Sequence, residues 1–152
     1  MTMIRTLLLL ATFLFAAGAH ALTPDEAKGM AMGDAETRVE ALNKAAANAD
    51  EKTAAFIQAM ADDAVKTAGD KVFVIKDDKG FDPVTGAELT VPEDAEDVIN
   101  NNLMRGELDS ALATLQLFST DHKVRAAAIK TLSSGADESR LPLIEKAYAA
   151  ET

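Results

Sequence analysis

Side chains that could move a proton, ligate a metal or attack a carbonyl are sparse in this 152-residue chain, and their spacing does not suit those tasks. A histidine site needs a second histidine, a cysteine or a converging carboxylate. Cysteine is absent, and of the two histidines His20 falls inside what reads as a cleaved leader. His122 is left alone behind Asp121, in a first helical turn where it should face solvent. Acidic pairs recur at Asp62-Asp63, Asp77-Asp78, Glu93-Asp94 and Glu96-Asp97. A calcium loop sets oxygen ligands at alternate positions around a central glycine. In Asp77-Asp78-Lys79-Gly80 the glycine arrives too early and a lysine intrudes, so such pairs read as solvated turns and helix starts. Ser110, Ser119, Ser133, Ser134 and Ser139 lack a nucleophile-elbow glycine pattern, and no glycine-rich phosphate loop occurs. The expectation is a protein that is not an enzyme, with no cofactor, no metal and no small-molecule ligand.

Polar residues suited to contact are easier to find. Asn100, Asn101 and Asn102 are consecutive, with Arg105 just after, in a stretch otherwise patterned as helix. Three amides in a row lower helix propensity, so they need a compensating role. Either they bond the adjacent hairpin, or together with Arg105 they form a polar surface for a partner protein. The hairpin tip Asp78, Lys79, Gly80 and Phe81 is the second candidate contact. Arg38 and Arg125 each stand one turn into a helix and should reach a neighbouring carboxylate or backbone carbonyl.

The elements that carry these residues include a repeat. At an offset of 87 residues, Asp34 falls on Asp121, Arg38 on Arg125, Leu42 on Ile129, Ala49-Asp50-Glu51 on Ala136-Asp137-Glu138, and Phe56-Ile57 on Leu143-Ile144. Each copy reads as two Asp-opened helices that must pair to bury their apolar faces. Before the first copy, Thr23-Pro24-Asp25-Glu26 is a capping box, opening a short helix that ends near Gly33. Gly29 and Gly33 read as a plain helix end rather than a packing motif. In the first copy, Ala41, Leu42, Ala45 and Ala46 share one face. The following helix should run from Asp50 to about Ala68, with Phe56, Ile57, Met60, Ala64 and Val65 inward and Gly69 as its stop. The period then changes, and residues 71–91 read as a small β-hairpin or meander, with strands at 71–76 and 88–91. A long helix over 94–118 should follow. Its buried side is Val98, Ile99, Leu103, Leu108, Leu112 and Leu115, and its acidic start suits the helix dipole.

Residues 1–21 run from Arg5 through an apolar stretch to Ala19-His20-Ala21, the order of a secretory signal peptide, and nothing from residue 22 onward is apolar enough to span a bilayer. Without cysteine, an exported chain must be held by packing alone. The formal net charge is −10, from 15 basic and 25 acidic side chains, and loss of Arg5 with the leader makes it more negative. That balance repels nucleic acid and anionic lipid.

Asp121-His122-Lys123-Val124-Arg125 before Ala126-Ala127-Ala128-Ile129 resembles the repeat unit of HEAT-type helical solenoids. Four further segments carry a larger likeness: Val72-Phe73-Val74-Ile75, residues 82–86 (Asp-Pro-Val-Thr-Gly), residues 93–105 and residues 111–119. In that order they resemble the exported N-terminal region of the urea ABC transporter permease, of the branched-chain amino acid transporter type. The likeness covers nearly all of residues 22–150. Family members continue into a multi-helix permease, which this sequence does not contain, so the urea pathway and the ATPase contacts would belong elsewhere.

The reading is therefore a mainly α fold of about six helices, HEAT-like, with a signal peptide at 1–21 and one domain at 22–152 carrying the β-hairpin insert. The resemblance implies a non-catalytic periplasmic domain of a urea importer, tied to the membrane through a C-terminal permease where one follows. Its partners would be transporter subunits or the periplasmic urea-binding protein. The alternative is a free-standing secreted HEAT-like scaffold unrelated to transport.

Overall fold

The computed structural model describes residues 21–134 and 141–149. The expected leader up to His20 and the repeat positions Gly135, Ala136, Asp137 and Glu138 lie outside them. Among the described residues the chain is mainly α, with six helices and one five-stranded antiparallel sheet. None of these helices is long and apolar enough to cross a membrane.

Helix α1 (Pro24–Ala31) opens with the expected box: Thr23 Oγ1 accepts from the Glu26 N–H at 3.2 Å, while Glu26 Oε2 accepts from the Thr23 N–H at 2.9 Å. Gly33, at φ +104°, turns the chain into α2 (Ala35–Ala47), which Asp34 caps through the Thr37 N–H. Gly29 is more than a helix end. A Cβ there would lie 3.1 Å from that of Ala41, so its bare backbone lets α1 and α2 pack closely.

Helix α3 (Glu51–Ala61), capped by Asp50, stops seven residues short of the expected Ala68. Asp63 takes a left-handed φ of 55°, while its N–H reaches the Met60 carbonyl and the Ala64 N–H reaches that of Ala59. These two bonds are a Schellman ending with aspartate where glycine is usual. The β-branched Val65 and Thr67 then enter strand β1 (Val65–Ala68), so Val65 is buried as a strand residue. Gly69 does not end a helix; at φ +56° it makes the turn into β2 (Lys71–Lys76).

The expected hairpin is part of a larger sheet. A two-residue turn at Asp77 and Asp78, with φ of 49° and 62°, leads to β3 (Lys79–Phe81), as the right-handed strand twist favours. Strand β4 (Glu88–Leu89) covers half of the expected second strand, and β5 (Glu96–Asp97) pairs with β1, giving the order β4-β3-β2-β1-β5. Val65 pairs with Val74, and both point into the main core with Val72. On the opposite face a Cβ at Gly80 would collide with Val91 and lie 3.6 Å from Phe73. The connection from β4 to β5 thus crosses the second face, and Gly80 makes room for it.

The long helix expected from residue 94 begins only at Asn102. The segment before it is a turn, β5 and extended chain, and α4 runs Asn102–Gln116. Helix α4 packs against α2 and α3 on one side and, toward its C-terminal end, against α5 (His122–Ser134); α6 (Leu141–Ala149) follows. Met104, Leu108 and Ala111 join the main core with Met30, Leu42, Phe56, Ile57 and Met60. Ala113 and Leu117 form a second, smaller cluster with Ala128 and Leu132, against which Ile129 and Ile144 pack. Ile99 and Leu103, expected inside, are instead 81% and 51% exposed.

Candidate partner-contact surface

Arg38 explains why Ile99 faces outward. Arg38 is 7% exposed, and all three nitrogens of its guanidinium donate. Nε bonds the Met30 carbonyl at 2.9 Å, Nη1 the Ile99 carbonyl at 2.9 Å, and Nη2 the Asn100 Oδ1 at 2.7 Å. Burial pushes its pKa below the ordinary value, yet a guanidinium stays protonated in proteins. The Met30 carbonyl belongs to the last turn of α1, where the helix leaves acceptors unpaired and the dipole is negative, so a cation suits it.

Asn100 extends the network. It is 5% exposed, and its Nδ2 donates to the Met60 carbonyl at 2.8 Å and to Asp63 Oδ1 at 3.2 Å. One amide thus ties the last turn of α3 to Arg38 on α2. Asp63 also pairs with Arg105 of α4 at 3.0 Å, a half-exposed contact. Every buried side-chain polar atom among the described residues has a partner.

This geometry sorts the expected contact residues. Asn100 is turned inward and fully used, so it offers no surface to a partner; its bonds run to the end of α3 and to Arg38, not to the hairpin. Asn101 is the cap of α4, its Oδ1 accepting from the Met104 N–H at 2.8 Å. Asn102 and Arg105 remain exposed. With Val98 and Asn100 buried and the Ile99 carbonyl clamped, the side chain of Ile99 must project. Leu103 projects one helical turn later, so the exposed set is Ile99, Asn102, Leu103 and Arg105 on a backbone fixed from beneath.

The hairpin residues form a different place. Asp78 is in the turn, Lys79 pairs with Glu88 at 3.1 Å, Gly80 is buried under Val91, and Phe81 is half-buried. Three strand spacings, about 14 Å, separate β3 from β5, so the hairpin and the Ile99 segment are not brought together. The acidic pairs lie in caps, turns and β5, where Asp97 meets Lys66 at 3.0 Å. No group of three metal-ligating side chains occurs among the described residues, and His122 lies exposed in the first turn of α5.

Sequence reasoning missed Asp63 and the two clamped carbonyls, which belong to the backbone and leave no trace in residue types. It also read Ile99 and Leu103 by hydrophobicity alone. The usable signal was the asparagine run itself, because an amide that helix propensity disfavours fits a cap and a buried crosslink well. Comparison with protein-family models, curated proteins and solved structures gives no match.

Proposed function

We propose that this chain is a non-catalytic, exported contact domain of a urea-type ABC importer, built on HEAT-like helical pairs and acting by binding another protein of that system. The observation that carries the reading is the display of Ile99. An aliphatic side chain at 81% exposure stands on a backbone held by a buried arginine. A pre-set apolar anchor beside exposed polar groups is the usual make-up of a protein-binding hot spot, because little ordering entropy is lost on docking. The HEAT-like reading is supported by the 87-residue offset, which carries Ala35–Ala47 onto His122–Ser134. It is supported too by the common reach-back of Arg38 to Met30 and of Arg125 to Ser119, the latter at 2.8 Å. The importer assignment rests on the sequence resemblance.

The test uses the periplasmic urea-binding protein and the detergent-solubilised permease of the same organism as separate binding partners, read by calorimetry. One of them should bind, and Ile99→Asp should weaken it about thirtyfold. The circular dichroism and urea midpoint of the variant should stay unchanged, since the side chain is solvated. Binding by neither partner sinks the importer reading, and an unchanged Kd for Ile99→Asp sinks the assignment of the surface.

A further inference from the structure

Two hollows flank the turn over residues 82–86. The larger, about 380 Å³, opens between α3 and the helix-facing side of β2 and β3. Its floor is Phe56 and Val74, only 2% and 8% exposed, and Ala55, Phe81, Pro83 and Val84 wall it. Three charged side chains line it: Lys52, Lys76 and Asp82. Asp82 is already occupied. Its Oδ1 accepts from the Val84 and Thr85 N–H groups at 2.8 and 2.9 Å, which hold its carboxyl below the usual range. Lys52 Nζ donates to the Val84 carbonyl at 2.7 Å and keeps two further N–H bonds to give. Lys76 has no hydrogen bond or ion pair among the described residues.

We propose that this groove binds a small carboxylate with an aromatic or branched aliphatic body. The body lies on Phe56 and Val74, and the carboxylate accepts from Lys76 and Lys52. Its volume falls within the span of small-ligand sites, about 300–1,000 Å³, and an apolar lining with a few polar groups is their usual composition. The sign of the ligand follows from charge. On a chain of net charge −10, a concave apolar surface with two lysines and one internally satisfied aspartate is locally suited to an anion. Lys76 reaches this place because it follows Val74 on the same side of β2, past the cover given by α3. None of these residues belongs to the Ile99 segment, so this site stands or falls apart from the partner-contact reading.

The test is an amide-resolved NMR titration of the folded chain with hydrocinnamate, with its neutral amide and with acetate. Hydrocinnamate should shift Ala55, Val74, Phe81 and Val84 and bind about tenfold tighter than the amide. Acetate, which lacks the body, should bind weakest. Lys76→Met keeps the aliphatic stem and should cut the preference for the acid severalfold, while Lys71→Met beside the neighbouring hollow should preserve it. Absence of shifts, shifts scattered over other faces, equal binding of acid and amide, or equal effects of the two lysine variants would each overturn the proposal.

Discussion

Helices α2 and α5 have the same length, open on an aspartate and carry an arginine four residues later, yet that arginine meets different surroundings. In α2 the arginine is 7% exposed, and its guanidinium joins α1 to the segment before α4. In α5 it is half-buried and bonds the Ser119 carbonyl just beyond α4. Reach-back to a carbonyl ahead of its own helix is therefore common to both arginines. Deep burial is not. Two of the three Arg38 acceptors, the Ile99 carbonyl and Asn100, come from the extended segment just before α4. A local pattern of four residues can place an arginine, but a chain segment sixty residues away decides whether it becomes a hub.

Substitution of the two arginines tests this difference most directly. Arg38→Met leaves the Met30 carbonyl and the Asn100 amide oxygen short of a donor away from water, and the part-buried Ile99 carbonyl without its clamp, and should lower stability by about 3 kcal/mol. Arg125→Met should cost less, about 1 kcal/mol, because its side chain is only half-buried and water can reach the groups it leaves. Urea unfolding of both variants measures the difference. Equal losses would mean that the two copies are energetically alike and that the segment before α4 adds nothing to the first.

A second, smaller effect isolates the role of the segment before α4. Asn100→Ala removes the amide that bridges Arg38 to the end of α3 and should cost about 2 kcal/mol. Combined with Arg38→Met it should cost clearly less than the sum of the two, since residues in one hydrogen-bonded network couple by about 0.5–3 kcal/mol. Strict additivity would show that the two side chains act separately. Pairing Asn100→Ala with Arg125→Met should give additivity, which makes that pair the control.

What was legible in the sequence follows the same division. Caps and helix starts could be read from Thr23, Asp34, Asp50 and Asp121, because they depend on groups within four residues. The class of fold and the strand at residues 71–76 were legible for similar reasons. Helix ends were not. Val65-Lys66-Thr67-Ala68 continues an apolar pattern that fits either helix or strand. It becomes a strand because Asp63 takes a left-handed turn and because β2 and β5 offer edges on both sides. The segment before α4 failed likewise: Val98 and Ile99 look alike in the sequence. The Val98 N–H bond to the Val65 carbonyl and the clamp on the Ile99 carbonyl together set one in the core and the other toward solvent. In the candidate surface, Asn102 and Arg105 were readable as exposed polar groups, whereas the apolar anchor was not.

The finest difference between the copies lies at their caps, and pH probes it. Asp34 accepts from both the N–H and the hydroxyl of Thr37 at 2.9 Å, and these bonds hold its carboxyl below the ordinary 3.8. Asp50 is held low in the same way by Thr53. A carboxylate whose folded pKa lies below its unfolded value stabilises the fold fully above the unfolded value and loses that contribution as pH falls through the folded one. The window is therefore the acid limb below 3.8. The second copy has Val124 where the first has Thr37, and its Asp121 accepts from the Lys123 N–H at 2.8 Å, so Thr37→Val takes from the first cap the hydroxyl that the second lacks. That exposed substitution leaves the backbone bond in place and removes only the hydroxyl. The folded pKa of Asp34 should move up toward its ordinary value, so the cap's share of stability should be smaller at neutral pH and should fade at a higher pH during acidification. Urea midpoints followed from about pH 5 to about pH 2 would register this as a shallower acid limb. A limb superimposable on that of the parent chain would mean that the backbone N–H alone sets the Asp34 cap and that the Thr37 hydroxyl adds nothing to it.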